Sequence, residues 1–527
     1  MAPRNSRVGA LAVKDGKIAA VGASTEIAKL VSEGTRSVSL AGRTLLPGFI
    51  DPHNHFSINV LEPVAVDCSV PPLASIAGIL ETLSAAASST PPGRWIYGWG
   101  LRTALLQEER AVTRWELDEV SPNNPVCVID ASVHACYLNS AALKLAGIDR
   151  NTPDPPHGQI LKDRKGNHDG TLWEGALDLA YNIPLRAYMD SYGDVIAGLV
   201  RDNCMRHLAC GITSVGDALV VPDAAALYQL ADANVSLPMV LHQMLGGSGF
   251  FAPPREVASG EYKDGNVSDR LRGGTMKIFM DPVYPATART RIHADGHKEQ
   301  VGEIYYSQET VDRLVVDAHE RGLQIAIHCL GNRAVDQALN AFERALKVRP
   351  VSEPRFRIEH FTITTSSQIK RAQSLGVIAV VQPTFNFTGG ERYQSTIEEL
   401  SGDTRAIPLQ TMLSEGLTVA ASSDYPCAPL EPLTGLYSMV TRRTSSTGQP
   451  AGLEEAVSVM DGLRMYTANA AYAMGRDQEA GSLEVGKRAD MVVLSHDPTA
   501  VNPDFLRDIS VEQTYVDGEL LHGAQRS

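Results

Sequence analysis

Eight short apolar runs that favour β-strands alternate along the chain with stretches of helical periodicity, and this alternation constrains the fold most. The runs cover residues 45–50, 212–217, 238–244, 275–280, 324–328, 355–360, 377–382 and 419–424. Amphipathic stretches such as 307–321, 333–347 and 366–375 follow several of them, as a parallel β/α arrangement requires. Eight such units predict an α/β protein built on a TIM (β/α)8 barrel.

Two regions do not fit the β/α alternation. Residues from about 61 to 206 are too many for one connection after the first strand, so we expect a long insertion, of the kind that often covers a substrate. Both chain ends have hairpin character, with Asp15-Gly16 between two β-prone runs near the start. The predicted organisation is a small β-sandwich domain from 1–46 and 475–527, and a barrel domain from 47–474 that carries the insertion.

Composition and charge narrow the choice of partner. The 527 residues carry 47 Lys and Arg against 61 Asp and Glu, a net charge of −14, so neither nucleic acid nor a membrane surface is an expected partner. The seven cysteines lack paired C-x-x-C spacing, which argues against a disulfide framework or a zinc ribbon. Without a signal-like or membrane-spanning segment, we expect a cytoplasmic protein that acts on a small molecule, with a homodimer as the default assembly.

Side chains that bind metals lie at the ends of the predicted strands. His53 and His55 end the first strand one residue apart, so both point to the same side. Taken alone, this pair is as compatible with a polar surface as with a metal site. However, catalytic groups of TIM barrels gather at the carboxyl ends of the strands, where this chain also has Lys277, His328, His360 and Asp424. Histidines with one carboxylate suit Zn²⁺ or a similar ion that keeps a position open for water.

Lys277 has two interpretations. A positively charged lysine would be repelled by metal ions, whereas a lysine of lowered pKa can react with CO₂ to form an anionic carbamate that bridges two metals. The alternative is a salt bridge to Asp281, four residues further along the same strand end. The local sequence does not decide between these interpretations.

Five segments carry a resemblance to a known family. They read PGFIDPHNH at 47–55, IHCLGNRAV at 327–335, RIEH at 357–360, SSDYP at 422–426 and GSLEVGKRADMVVL at 481–494. In this order they resemble the amidohydrolase superfamily, and within it amidohydrolase family 3, the YtcJ-like metal-dependent hydrolases that include N-substituted formamide deformylases. The resemblance covers nearly the whole chain.

The resemblance implies a binuclear centre and a mechanism. His53, His55 and Asp424 would hold one ion, His328 and His360 the other, and carbamylated Lys277 would bridge them. A bridging hydroxide would attack a carbonyl polarised by a metal, and Asp424 would pass the hydroxide's proton to the leaving nitrogen.

The chain departs from the family pattern at three places. Asn332 stands where the fifth-strand motif commonly has aspartate, and Pro282 stands where glycine commonly follows the aspartate after the lysine. We expect both departures to affect substrate handling near these loops. The N-terminal β-module also begins late, which predicts a reduced sandwich.

Four residues of the insertion are candidates for substrate contact. His134 resembles a family motif and could reach a substrate oxygen, although a hydrogen-bonded structural histidine is the simpler interpretation. Glu174 could face the same pocket or be a solvated carboxylate at a helix N-terminus. Trp99 and Trp173 could line the substrate or form the core of the insertion itself. Loops 246–265 and 385–402 are further candidates for specificity.

These observations favour metal-dependent hydrolysis of an amide-type, non-peptide C–N bond in a small hydrophobic or aromatic molecule, with one or two Zn²⁺ ions as cofactor. Two alternatives stay open. The same scaffold hosts metal-dependent lyases and decarboxylases, and a barrel that has lost catalysis could keep its ligands as a binding protein. The sequence does not identify the substrate.

Overall fold

Eight parallel strands form a barrel in the computed structural model, which describes residues 7–261, 268–283, 286–293, 295–400 and 402–524. In chain order they are β1 Phe49–Asn54, β2 Ile212–Val220, β3 Val240–Leu245, β4 Leu271–Phe279, β5 Gln324–Cys329, β6 Arg357–His360, β7 Ile378–Val381 and β8 Thr418–Ala421. Each strand pairs with the next, so β1 and β8 are the outer strands of the sheet. Just beyond β8, the Asp424 N–H donates to the His53 carbonyl and the His55 N–H donates to the Tyr425 carbonyl, both at 2.9 Å. The predicted TIM barrel is confirmed.

The first strand corrects the sequence prediction. The predicted strand 45–50 is divided between two strands, because Thr44–Pro47 pairs with Met491–Leu494 outside the barrel while Phe49–Asn54 pairs with β2. Gly48 lies at the division, where an added Cβ would be 2.5 Å from Cγ2 of Thr213. The barrel strand is therefore shifted towards the C-terminus, and His53 lies within it rather than after it.

Helices follow most barrel strands and pack around them. Ser307 accepts a hydrogen bond from Thr310 N–H at the start of one helix, and Thr365 forms a reciprocal capping box with Gln368 at the start of another. From β2 onwards the helices are Pro222–Asn234, Arg255–Ser259, Gln308–Glu320, Asn332–Val348, Ser366–Ser374, Pro383–Leu400, Leu409–Ser414, Pro432–Thr441, Val459–Met465 and Ala468–Ala473. Two small antiparallel pairs of strands lie beside them, Arg289–Ile292 with Lys298–Val301 and Ile363–Thr365 with Thr404–Ala406.

The predicted insertion after β1 is present and has a sheet of its own. In spatial order its strands are Val66–Asp67, Ile96–Leu101, Val126–Asp130, Ala135–Leu138, His168–Glu174 and Gly158–Lys162. The helices Ile76–Ser89, Arg114–Val120 and Ser140–Leu145 accompany this sheet, and the long helix Asn182–Ala209 leads from it into β2. One face of the sheet has a separate hydrophobic core, while Tyr97 and Trp99 join the core shared with the barrel.

Both chain ends contribute to a small β-sandwich. A hairpin of Ala10–Lys14 and Lys17–Gly22 lies against a four-stranded sheet, and the two share a core that includes Ile18, Met491 and Tyr515. The sheet contains Glu519–His522, Val511–Val516, Met491–Leu494 and Thr44–Pro47. Residues 1–6 and 525–527 of the predicted sandwich lie outside the described residues, and the exact domain boundaries stay a prediction. Across the described ranges, no helix has both the length and the apolar character needed to cross a membrane.

Candidate metal centre

The carboxyl end of the barrel brings all six predicted ligand residues into one buried cluster. Asp424 Oδ1 lies 3.2 Å from His53 Nε2 and 3.1 Å from His55 Nε2. Ligand atoms of His53, His360 and Asp424 lie within 4.8 Å of one another. The His360 ring centroid is 4.8 Å from that of His53 and 4.4 Å from that of His328. These distances place three barrel strands and the turn after β8 around one point.

Several buried polar atoms in this cluster lack hydrogen-bond partners among the described residues. They are His53 Nε2, His55 Nδ1, Lys277 Nζ, both ring nitrogens of His328 and Asp424 Oδ1. Buried polar groups are normally hydrogen-bonded, because an unpaired one costs roughly 1–3 kcal/mol. So many unpaired nitrogen and oxygen donors around one point match the donor set of a divalent metal.

Burial sets the charge of the candidate ligands. It lowers the pKa of His55, His328 and His360, to about 3 for His360, so these imidazoles are neutral and can donate a lone pair at neutral pH. For Asp424, burial would raise the pKa, but the imidazoles of His53 and His55, which lie 3.2 and 3.1 Å away, outweigh it and hold the pKa well below its usual range. Burial also lowers the pKa of Lys277 to about 8.

A second layer of side chains fixes the orientation of the histidines. Glu359 accepts a very short hydrogen bond from His53 Nδ1, and it also forms an ion pair with Arg357 at 2.7 and 2.9 Å. Gln382 Oε1 accepts a hydrogen bond from His360 Nδ1 at 2.7 Å. Burial would raise the pKa of Glu359, but Arg357 and His53 hold it below its usual range. Groups of this kind direct the free ring nitrogen of a histidine towards a metal.

The sequence analysis missed these supporting residues. Arg357 and Glu359 are two apart on β6, so strand alternation places them on the same side, and this signal was present in the RIEH motif. The hydrogen bond between Glu359 and His53 joins residues that are 306 apart in sequence and could not be read from either segment.

Comparison with known proteins identifies the family. A family model described as amidohydrolase family matches residues 36–522. The chain belongs to the amidohydrolase family. It is 39% identical to N-substituted formamide deformylase of Arthrobacter pascens over 98% of this chain and 95% of that protein. It is 28% identical to putative amidohydrolase YtcJ of Bacillus subtilis (strain 168) over 99% of this chain and 97% of that protein.

A solved structure supports the same fold. An uncharacterized metal-dependent hydrolase of Pyrococcus horikoshii superposes with a TM-score of 0.72 and 22% identity, covering 95% of this chain and 96% of that one. The predicted family and the predicted hydrolase class are thereby confirmed, whereas the roles of the individual ligand residues stay predictions.

The amidohydrolase does not contain the alternative salt bridge between Lys277 and Asp281. Asp281 instead accepts three backbone hydrogen bonds of 3.0 Å, from Leu330, Gly331 and Ala288. Nζ of Lys277 lies 5.0 Å from the centroid of the Phe279 ring, without a hydrogen-bond partner among the described residues. Asp281 therefore ties the loop after β4 to the loop after β5, and Lys277 is left facing the ligand cluster.

The two unusual loop residues of this amidohydrolase hold neighbouring backbone. Asn332 Oδ1 accepts a hydrogen bond from Thr290 N–H at 2.8 Å, and the Pro282 carbonyl accepts one from the Thr287 hydroxyl at 3.2 Å. These contacts hold Thr290, within the strand Arg289–Ile292, and Thr287, just before it. The predicted effect of these departures on substrate handling stays a prediction.

His134 and Glu174 form a buried pair at the inner face of the insertion. His134 Nδ1 lies 2.7 Å from Glu174 Oε2, which also accepts a hydrogen bond from the Tyr305 hydroxyl at 2.8 Å. Burial alone would lower the pKa of His134, but the Glu174 carboxylate outweighs it and raises the pKa. Glu174 is the last residue of the strand His168–Glu174 and is buried, with φ of 50°, so it is not the solvated carboxylate of the simpler interpretation. The His134 ring centroid is 6.2 Å from that of Phe279, which is itself 4.6 Å from that of His328.

Phenylalanine side chains, and not the predicted tryptophans, make ring contacts with the candidate ligands among the described residues. Phe250 lies 5.8 Å from His55 and Phe385 lies 5.8 Å from His360, measured between ring centroids. Trp173 packs against the separate core of the insertion, and buried Trp99 stacks on Tyr97 at 6.1 Å. Phe250 lies in the predicted specificity loop 246–265. The predicted loop 385–402 is wrong for most of its length, because Phe385 and the residues after it belong to the helix Pro383–Leu400. Residues 262–265 and 401 lie outside the described residues.

Asp178 of the insertion is hydrogen-bonded to the loop after β3, which carries Phe250 and Phe251. Its carboxylate accepts hydrogen bonds from the N–H groups of Phe250 and Phe251, the second at 3.0 Å. The Tyr306 hydroxyl donates to the carbonyl of Phe251 at 2.8 Å. This connection between the insertion and the loop after β3 was not predicted, because neither segment shows it alone.

Proposed function

We propose that this amidohydrolase is metal-dependent and hydrolyses an amide-type C–N bond in a small molecule with a hydrophobic or aromatic substituent, with Zn²⁺ as the metal. The observation that carries the proposal is the set of buried nitrogen and oxygen atoms around Asp424 without hydrogen-bond partners among the described residues. The similarity to an N-substituted formamide deformylase supports a C–N bond as the target.

The residues that would hold the metal come from five positions around the barrel. His53, His55 and Asp424 would hold one ion, and His328 and His360 a second, with Lys277 as a bridging carbamate. Carbamate formation needs a neutral amine, and the pKa of about 8 at Lys277 provides a neutral fraction near physiological pH. The chemistry that such ions supply is polarisation of a carbonyl oxygen and a lowered pKa for water.

Asp424 is the residue that would move the proton. Its pKa is held low by His53 and His55, so it is a carboxylate that can accept a proton from the attacking water. It would then deliver that proton to the nitrogen of the leaving amine. Its place between both histidines, at 3.1 and 3.2 Å, keeps it at the reacting centre.

His134 and the phenylalanines would position the substrate. Nδ1 of His134 donates to Glu174, which raises the pKa of His134, and the protonated ring would then donate from Nε2 to a substrate oxygen. Phe250, Phe279 and Phe385 provide apolar contact for a substituent and exclude water from the charged centre.

The test is metal removal and reconstitution of the full chain, followed by assays on N-substituted formamides of increasing substituent size. We expect loss of turnover after chelation, recovery with Zn²⁺, and release of an amine together with formate. Elemental analysis of the active protein decides between one and two ions. In a parallel assay, loss of CO₂ from an aromatic acid, with no amine released, would favour a lyase instead, and tight binding of the formamides without any product would favour a binding protein.

A further inference from the structure

Two adjacent phenylalanines of the loop after β3, Phe250 and Phe251, lie beside the candidate metal centre. The Phe250 ring centroid is 5.8 Å from that of His55, and the Phe251 ring centroid is 5.4 Å from that of His134. Both rings are buried, and their centroids lie 5.5 and 5.4 Å from that of Phe279. The loop therefore contacts a candidate metal ligand with one ring and the candidate substrate-binding histidine with the other.

A residue of the insertion holds the backbone of this loop. Asp178 accepts the N–H of Phe250 with Oδ1 and the N–H of Phe251 with Oδ2, so each oxygen of its carboxylate holds one phenylalanine. Hydrogen bonds to a charged group are roughly twice as strong as neutral ones. The directions of both rings therefore depend on one side chain outside the loop.

Gly249, the residue before Phe250, leaves room for this carboxylate. A Cβ at position 249 would lie 2.5 Å from both Cγ and Oδ2 of Asp178. This distance is far shorter than a van der Waals contact, so a larger residue would displace either the loop or the carboxylate. The loop and the insertion are thus complementary in shape where they are hydrogen-bonded.

The segment of the insertion that carries Asp178 also carries Glu174. Glu174 ends the strand His168–Glu174, and Asp178 lies in the 3₁₀ helix Gly175–Leu179 that follows directly. Glu174 holds Nδ1 of His134 at 2.7 Å, while Asp178 holds the two phenylalanines. One short segment therefore positions both a polar and an aromatic part of the site.

We propose that Asp178 is a positioning residue that determines specificity: it holds the rings of Phe250 and Phe251 so that the site prefers a planar aromatic substituent on the amide nitrogen. Aromatic rings attract one another in particular orientations, so the direction of each phenylalanine decides how well such a substituent is bound. This inference rests on the proposed function and deepens it by naming the class of substituent.

The first test compares N-benzylformamide with N-methylformamide as substrates of the full chain reconstituted with Zn²⁺. We expect Asp178→Ala to raise KM for N-benzylformamide roughly tenfold, because the rings lose their orientation. KM for N-methylformamide and both kcat values should stay within about twofold, because the metal ligands are untouched. Asp178→Asn keeps one acceptor oxygen and should raise KM for the benzyl substrate by less than Asp178→Ala does.

Two matched controls separate this contact from general damage. Asp163 also accepts two backbone hydrogen bonds, both at 2.8 Å, but lies in a turn at the other end of the strand His168–Glu174. Asp163→Ala should leave both KM values unchanged. Gly249→Ala disturbs the contact from the loop side and should reproduce the selective rise in KM, whereas Ser248→Ala, at an exposed neighbouring position, should not.

A second measurement does not depend on activity. Hydrogen exchange of the full chain reports the amides of Phe250 and Phe251, whose hydrogen bonds end at Asp178. We expect these amides to exchange at least about tenfold faster in Asp178→Ala, the effect of losing a hydrogen bond to a charged group. The amides of β1 and β5 should keep their rates, and elemental analysis should find an unchanged metal content.

The outcomes separate this inference from the proposed function. Equal rises in KM for both substrates, no rise for N-benzylformamide, or unchanged exchange at residues 250 and 251 in Asp178→Ala would overturn the role of Asp178 while the metal-dependent hydrolase stands. If the folded, unmodified chain with Zn²⁺ hydrolyses neither formamide, the proposed function fails and the specificity assigned to Asp178 fails with it.

Discussion

Buried histidines at the two ends of the barrel differ in their hydrogen bonding. At the amino end, His242 of β3 bonds to Thr275 at 2.8 Å, and the Thr275 hydroxyl donates to Gln324 at the same distance. The Gln324 amide in turn donates to the carbonyls of Arg355 and Ala473, at 2.9 and 3.0 Å. At the carboxyl end, neither ring nitrogen of His328 has a hydrogen-bond partner among the described residues.

Burial lowers the pKa of both His242 and His328, to about 3 for His242. A shifted pKa therefore does not distinguish a site from a core in this protein. The distinction lies in the partners: the ring of His242 is held by a series of hydrogen bonds within the chain, which stabilises the fold, whereas the ring of His328 leaves nitrogens that can bind a ligand from outside. This division agrees with the general placement of TIM-barrel active sites.

The largest effect should come from Asp424. We expect Asp424→Asn to lower kcat/KM by roughly 10³-fold or more, because the change removes both a metal ligand and the group that transfers the proton. Steady-state assays with saturating Zn²⁺ measure this. His242→Gln, at the other end of the barrel, should keep kcat/KM within about twofold, since glutamine can still bond to Thr275. Full turnover by Asp424→Asn would remove Asp424 from the mechanism.

Substitution of Lys277 tests whether the carboxyl end of the barrel holds one metal ion or two. We expect Lys277→Met to lower the metal content from about two ions to about one per chain and to reduce kcat by roughly 10²-fold, because the bridging group is lost. Methionine keeps the length of the side chain, so the fold should survive. Elemental analysis counts the ions, and native mass spectrometry of the unmodified protein reports the added mass of CO₂. Retention of two ions by the variant would place Lys277 outside the ligand set.

Glu359 contacts both the candidate ligand His53 and the buried Arg357, so its substitution tests metal binding and stability together. Glu359→Gln should weaken Zn²⁺ binding by about 10- to 100-fold, because His53 loses its charged partner. It should also destabilise the protein by about 3–5 kcal/mol, because Arg357 stays buried without a counter-charge. Competition titration with a chromophoric chelator and urea unfolding measure the two effects.

The control for Glu359 is Asp477→Asn at the amino end. This carboxylate also pairs with an arginine, Arg355, at 2.7 Å, but it is partly exposed and remote from the ligands. We expect no change in Zn²⁺ affinity. An equal loss of affinity in both variants would mean that Glu359 acts through general stability and does not orient His53.

The sequence predicted the barrel well because strand and helix periods are local signals, and it placed the candidate ligands because strand ends follow from those periods. The apolar run from 45 to 50 could not reveal that the chain changes sheets at Gly48. The hydrogen bonds from Phe250 and Phe251 to Asp178, and the place of Cys427 beside His55, depend on contacts between segments far apart in sequence. Such contacts leave no periodic signal in either segment.

Glu174 tests whether the insertion takes part in the chemistry of the carboxyl end. We expect Glu174→Gln to lower kcat/KM about tenfold through loss of a charge-assisted hydrogen bond. Because Glu174 raises the pKa of His134, the protonated form is present below that pKa and is lost as pH rises through it. The alkaline limb of the pH profile of kcat/KM should therefore move to lower pH in the variant. Tyr305→Phe, which removes a neutral donor to the same carboxylate, should move that limb much less. A limb that does not move would return His134 to a structural role.

The smallest effect should come from substitution of Trp173. This change tests whether Trp173 belongs to the core of the insertion or to the lining of the site. Trp173 packs against residues of the insertion, so Trp173→Leu should cost about 1–3 kcal/mol of stability and leave KM within about twofold. Phe279→Leu is the contrasting change, because the Phe279 ring centroid lies 4.6 Å from that of His328. It should raise KM severalfold for N-benzyl substrates and little for N-methyl ones, since only the larger substituent needs the aromatic face. If Trp173→Leu had the larger effect on KM, the tryptophan would belong to the substrate site, and the insertion would contribute recognition through its core as well as through His134.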